Sequence, residues 1–229
     1  MSILAKIAAF KDLPLTALNR LERGGVILEP PSGSQILTSG ETANSVYAII
    51  SGSGFVRVGS ADRQSKALML VMRREGDIFG EIGVLDGGGR TAEAVTEGRV
   101  RLLQISGETF MAVLQDTPSL GANLCRIMAA MLRRTDALLQ DATFGTVEAR
   151  LARQILYLAG LHGHRSQDGW RLAGRFRQTD LADLLGTTPR SIITVLNRWR
   201  ADGLVKYDAP HGLLTICDET RLRAAIGPY

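Results

Sequence analysis

Residues 76–95 read GDIFGEIGVLDGGGRTAEAV, and the side chains gathered in this run decide the fold and the chemistry to be expected. Arg90 carries a planar, permanently charged fork that matches phosphate oxygens better than a lysine would. Gly80 leaves the backbone bare, so that N–H groups can approach an anion closely. Glu81 is placed to accept from a sugar hydroxyl, and Thr91 can offer a hydroxyl to a phosphate or a purine edge. Gly87, Gly88 and Gly89 make a flexible loop between carboxylate and arginine. A fixed cation, backbone donors and a carboxylate are what a ribose phosphate with one delocalised negative charge requires.

Working outward, residues 25–105 consist of short apolar stretches (VILE, SVYAII, FVRV, ALMLVM, VRLLQI) separated by Gly, Ser, Asp and Asn clusters such as PPSGS, SGETANS and SGSG. Apolar runs punctuated by turn residues predict an antiparallel β sandwich or roll. A helical lead-in (LTALNRLERG) precedes it, and a helical exit begins near Gly107. From Ser119 to Thr143 the chain holds no proline and, after Gly121, no glycine; Leu124, Met128, Met131, Thr135, Leu138 and Ala142 recur at alternating spacings of 4 and 3. That rhythm suits a helix packed lengthwise on another helix. Two readings stand: a long core helix with a tolerated hydroxyl at Thr135, or a dimer seam with that hydroxyl turned to a ligand.

A second amphipathic helix is expected over Val147–Leu161, then a polar connection, HGHRSQDG. In QTDLADLLGTTPRSIITVLNRWRADGLV, Leu181, Leu184 and Leu185 make a short helix that Gly186 ends. Thr188 can cap a new helix with Pro189 at its first position, where a missing N–H costs nothing. Two helices joined by a short glycine-containing turn outline a helix-turn-helix. In the second, Ile192, Val195, Leu196 and Trp199 form the buried face, which leaves Arg190, Thr194 and Asn197 outward. LVKYD, APHG and LLTI then read as strand, turn and strand, a small wing.

Of the 229 residues, 45% are hydrophobic, so a sizeable core forms without staples. From Thr146 onward Lys and Arg outnumber Asp and Glu 12 to 8, against 15 to 15 before it, which puts the whole net charge of +4 in the last third. This asymmetry points to a polyanion partner for the C-terminal part. Cys125 and Cys217 lie far apart, with no CxxC and no histidine at metal-ligand spacing, so neither a disulfide framework nor a metal site is expected. The opening MSILAKIAAFKDLP is broken by Lys6, Lys11 and Asp12, and no later run is long enough to span a bilayer. The expectation is a cytoplasmic protein with no membrane partner. No Ser/His/Asp set, Walker loop or metal cluster speaks for an enzyme.

FGEIGVLDGGGRTA resembles the phosphate-binding cassette of cyclic-nucleotide-binding domains, in which F-G-E is followed about nine residues later by Arg, a small residue and Ala. Gly40-Glu41, Tyr47, Gly52, Gly76 and Asp77 extend the likeness. The order cassette, long helix, helix-turn-helix, wing resembles, over nearly the whole chain, the Crp/Fnr superfamily of transcription regulators, nearest its cyclic-AMP receptor branch. The resemblance implies an α+β fold: a cyclic-nucleotide-binding, jelly-roll-like β-roll at 1–117, a dimerisation helix at 118–144 and a winged helix-turn-helix at 145–229. It implies a homodimer through the long helix, a pseudo-palindromic double-stranded operator, RNA polymerase as a partner, and 3′,5′-cyclic AMP or cyclic GMP as effector.

Carried over residue by residue, the nucleotide site comprises Phe79, Gly80, Glu81, Ile82, Arg90, Thr91 and Ala92, with Thr135 on the base and Asp136 reaching the other subunit's nucleotide. Asp136 departs from the small hydroxyl of the best-known member; an acceptor there suits guanine N1 and N2 as readily as adenine N6. Iron–sulfur or haem sensing is disfavoured, because the N-terminal half lacks a cysteine cluster and His162, His164 and His211 all lie in the C-terminal part. For DNA, Arg190, Ser191, Thr194 and Asn197 are expected at base edges, while Gln178, Thr179, Thr188 and Arg198 fix register through phosphates. The rivals are a regulator of the same fold that binds DNA without a cyclic nucleotide or with another effector, and a module whose C-terminal domain docks on a protein.

Overall fold

The apolar stretches between residues 25 and 106 fold into two antiparallel sheets. A computed structural model describes residues 2–61, 67–172 and 176–226, with the backbone alone at 60–61, 67–70, 137–144 and 161–162. One sheet holds β1 (Gly25–Leu28), β3 (Ser45–Gly52), β6 (Ile78–Phe79) and β8 (Val100–Ser106) in the order β1-β8-β3-β6. The other holds β2 (Gln35–Leu37), β4 (Phe55–Ala61), β5 (Ala67–Arg73) and β7 (Glu93–Glu97) in the order β2-β7-β4-β5. Strand β3 explains why SVYAII is continuously apolar. Tyr47 and Ile49 join Leu37, Val56, Phe79, Ala94, Val100 and Leu102 in one core cluster. Val46, Ala48 and Ile50 join a second cluster with Leu18 and Leu21 of α1 (Leu15–Arg23) and Phe110 and Val113 of α3 (Gly107–Asp116). A strand covered on both faces has no polar face to show. Ser106 caps α3, its Oγ accepting the Thr109 N–H at 3.1 Å.

A short helix, α2 (Glu81–Asp86), sits inside the glycine-rich cassette. The long helix α4 (Pro118–Phe144) spans 27 residues, about 40 Å at 1.5 Å per residue. Leu120 and Leu124 at its start are buried in the core of the first unit, so Leu124 is not part of an open seam. Met128 and Met131 are half-buried and Thr135 is exposed, while Leu132 is 63% exposed. The seam positions Leu138 and Ala142 have side chains outside the described residues. The chain separates into two compact units within α4, the first ending at Leu132 and the second beginning at Arg133.

In the second unit, Thr146 caps α5 (Val147–His162), its hydroxyl accepting the Ala149 N–H at 3.1 Å. Next come β9 (Gly163–Ser166), β10 (Gly169–Leu172), α6 (Gln178–Leu185), α7 (Pro189–Ala201), β11 (Val205–Asp208), β12 (Leu213–Ile216) and α8 (Glu219–Ala224). The four strands form one sheet in the order β11-β12-β10-β9. HGHRSQDG, read above as a polar connection, is largely a hairpin: Arg171 pairs with His164 and Trp170 with Arg165. Polar residues fill it because β9 is an edge strand, bonded to β10 alone, and is only partly buried. The fold is α+β, a jelly-roll-like β-roll, a long helix and a winged helix-turn-helix. Among the described residues no helix is long and apolar enough to cross a membrane.

Candidate functional site

Gly80 takes a left-handed conformation (φ 79°) that carries the chain from β6 into α2. A side chain there would be strained, and its Cβ would lie 2.9 Å from a guanidinium nitrogen of Arg90. The Gly80 carbonyl accepts from Arg90 Nη1 at 2.7 Å, and Arg90 Nη2 donates to Ser45 Oγ at 3.1 Å. The arginine backbone is fixed as well: its N–H donates to the Glu41 carbonyl at 2.7 Å, and its carbonyl accepts from Gly40 at 2.9 Å. Thr42 bridges Gly89 beside them, so the glycine loop is held at its far end. Gly83 allows α2 to pack closely, since a Cβ there would meet that of Ala43 at 2.6 Å.

The two charges the sequence singles out are both buried, Arg90 at 6% and Glu81 at 3% exposure. Burial pushes the Glu81 carboxyl above the usual carboxylate range, and its own backbone N–H, Arg73 and Arg90 pull it back. Burial also pushes the Arg90 guanidinium below its usual value, opposed by Tyr47, Glu41 and Glu81. Beneath them Phe79 stacks on Tyr47, with ring centroids 5.1 Å apart and planes 12° from parallel. The Tyr47 hydroxyl accepts from Gln104 Nε2 at 3.1 Å. Among the described residues Arg90 forms no ion pair; its donors rest on a carbonyl and a hydroxyl. A dehydrated cation held by neutral acceptors is poised to take an anion.

The structure therefore brings Phe79, Gly80, Glu81, Arg90 and the buried Ala92 together, with Ile82 and Thr91 exposed at the rim. Thr135 and Asp136 are exposed on α4, in the second unit. Sequence reasoning missed Ser45, which heads the apolar run of β3 and meets Arg90 only through the fold. It also missed Arg73, a cation at the end of a strand that was read for its apolar residues.

The helix-turn-helix follows its expected plan. Gly186 ends α6 in the left-handed region (φ 57°), and its neighbour Thr187 donates to the Ala182 carbonyl at 2.9 Å. Thr188 caps α7 by accepting the Ser191 N–H at 3.2 Å, with Pro189 at the first helical position. Ile192, Val195, Leu196 and Trp199 are buried. Arg190, Thr194 and Asn197 are exposed, with Ser191 half-buried and its hydroxyl 3.0 Å from that of Thr188. The Thr194 hydroxyl donates to the Arg190 carbonyl at 2.9 Å. Thr179 is exposed and Gln178 half-buried at the start of α6. The exposed Ile193 adds an apolar contact surface beside Thr194 that was not anticipated. Arg198, expected at a phosphate, is exposed and pairs here with Glu148 of α5, whose other oxygen accepts from Trp199 Nε1 at 2.8 Å. Its charge fastens α7 to α5, because the indole on the next residue has already fixed the carboxylate there.

Comparison with known proteins agrees with this geometry. Residues 28–117 match the cyclic nucleotide-binding domain family, and residues 149–225 match the Crp-like helix-turn-helix domain family. A CRP-like cAMP-activated global transcriptional regulator of Mycobacterium tuberculosis is 27% identical over 222 residues, covering 97% of this chain and 98% of the relative. A CRP-family transcriptional regulator from Thermus thermophilus superposes with a TM-score of 0.69 at 23% identity, over 88% of this chain and 97% of its own. The c-di-GMP responsive global regulator CLP of Xanthomonas campestris does so at 0.66 and 21%, over 89% and 99%. At such identities the two structures speak for the fold alone.

Proposed function

Because this chain belongs to the Crp/Fnr superfamily of DNA-binding transcription regulators, we propose that it is a homodimer whose affinity for an operator is set by a cyclic purine nucleotide in the β-roll. The observation that carries this reading is the buried Arg90, its guanidinium on Gly80 and Ser45 and the buried Glu81 nearby. Arg90 exchanges neutral acceptors for the cyclic phosphate, and Glu81 accepts from the ribose 2′-hydroxyl. Backbone groups of Gly80, Ile82 and Ala92 line the sugar-phosphate, Phe79 supports them through Tyr47, and Thr91 stands at the rim. Thr135 holds the base and Asp136 takes donors of the second subunit's nucleotide. The name of the mycobacterial relative favours cyclic AMP, whereas the acceptor at Asp136 and the hydroxyl at Thr91 suit guanine equally well.

The long helix supplies the dimer seam, supported by the exposed Leu132 and half-buried Met128 and Met131. Arg190, Ser191, Thr194 and Asn197 enter the major groove. Gln178, Thr179 and Thr188 position the helices through phosphates, and RNA polymerase is the partner through which a bound dimer acts. The ligand works by favouring the DNA-competent arrangement, since equal affinity for both arrangements shifts nothing. Isothermal titration of the full chain with cyclic AMP and cyclic GMP, repeated on Arg90→Leu, tests the reading. Binding of at least one nucleotide that is lost in the variant supports it; no heat with either at millimolar concentration overturns it. Adding c-di-GMP to the same series tests the other reading, a regulator of this fold with a different effector.

A further inference from the structure

Glu148 stands in the first turn of α5, just after the Thr146 cap, where the unpaired N–H groups of a helix start favour a negative charge. Its Oε1 accepts from Trp199 Nε1 at 2.8 Å, and that indole is itself buried. The carboxylate is therefore held in place by the second unit before any cation meets it. Its Oε2 pairs with Arg198 Nη2. Arg198 follows Arg190 by eight residues and Thr194 by four, so it continues the exposed stripe of α7 that those two begin.

An exposed ion pair between two free side chains contributes little, because ordering both offsets most of the attraction. Here the carboxylate is already ordered by the indole, so the arginine alone loses freedom. The alternative open to Arg198 is a DNA phosphate, and taking it would leave Glu148 uncompensated within a side chain's length of a polyanion. Departure thus costs twice: the pair is lost, and like charges are brought together. We propose that Glu148 is a specificity-determining residue of the DNA-reading surface, which withholds Arg198 from the phosphates. Phosphate contacts raise affinity for every sequence alike, whereas base edges carry the information. With Arg198 held back, α7 binds more through the side chains that read bases and less through sequence-independent attraction. The inference depends on DNA binding and not on the identity of the effector.

Salt dependence counts phosphate contacts. The affinity of the full chain for a mixed-sequence duplex of about 40 base pairs is measured from about 50 to about 200 mM salt, with and without cyclic AMP; each phosphate contact changes the slope of log K against log salt by about 0.9. Arg198→Ala, Glu148→Gln and the double variant Glu148→Gln/Arg198→Ala are measured alongside, each checked for folding by thermal melting. Glutamine keeps an oxygen for the indole of Trp199 while removing the charge that holds Arg198. Glu148→Gln is expected to steepen the slope by about 0.9, an extra loss of about 3.5-fold in affinity across that salt range. Arg198→Ala is expected to stay within about 0.3 of the parent slope, and the double variant to match it. An unchanged slope in Glu148→Gln, or an Arg198→Ala slope shallower than the parent by about one contact, overturns the inference. So does a steepening that survives in the double variant, since it would come from relieved repulsion and not from a freed arginine. A parent chain with no salt-dependent affinity for the duplex under either condition overturns the DNA reading as well. If Glu148→Gln does not fold, Arg198→Ala decides: a parent-like slope is the expected result, and a shallower one overturns it.

Discussion

Glu81 is a carboxylate that the folded protein tolerates more than it welcomes. Burial raises its pKa, so between the usual carboxylate value and the raised one the native chain holds a proton that the unfolded chain has released. Stability attributable to this group is therefore fully present at low pH and is lost as pH rises through the folded value. Replacing Glu81 by Gln removes the ionisation, and ligand-free Glu81→Gln is expected to melt at or above the temperature of the parent at neutral pH. The difference should shrink as pH is lowered toward the ordinary carboxylate range, which thermal melts across a pH series will read. The same variant should bind the nucleotide more weakly, because an amide is a poorer acceptor for the ribose hydroxyl. Function and stability thus pull in opposite directions at one side chain, as they commonly do where a site holds buried charge.

Among the elements, the turn between α6 and α7 shows how far local chemistry specifies structure. Gly186, Thr188 and Pro189 act through their own backbone preferences and need no distant partner, which is why the helix-turn-helix could be read from residue order. Thr188→Ala removes the acceptor for the Ser191 N–H and is expected to cost about 1 kcal/mol, measured by chemical denaturation, whereas Thr188→Ser should keep nearly all of it. The strands of the roll were legible for a similar reason, as apolar runs between turn residues. The β9–β10 hairpin was not, since residues such as His164 and Arg165 carry no apolar alternation and its pairing depends on β12 arriving from far along the chain. Helix α2 hid among glycines. Within the site, Arg90 and Glu81 announced themselves by spacing, but Ser45 and Arg73 come from β3 and β5 and acquire meaning only once the sheets are formed. Arg198 shows the converse: an exposed helical arginine read as a phosphate contact is engaged by Glu148, which lies 50 residues earlier.

For the molecule as a whole, α4 holds the boundary between the two units and, in the homodimer proposed above, is the surface that a partner copy would cover. Its Leu132, 63% exposed, is the large apolar side chain most open on the stretch of α4 whose side chains are described. Leu132→Glu would place like charges against each other across a two-fold seam, and the expected result is a monomer by sedimentation and loss of affinity for a palindromic operator. A variant that stays dimeric would place the seam elsewhere. The position of the two indoles has a further consequence. Trp170 on β10 and Trp199 on α7 both fall in the second unit, Trp199 bonded to Glu148 and Trp170 near the Arg165 guanidinium, and the sequence contains two tryptophans in all. Tryptophan emission, excited beyond the tyrosine band because Tyr47 lies in the roll, is therefore an optical reporter for the second unit alone, so its spectral response to a compound lodged in the roll would measure long-range communication without any added label.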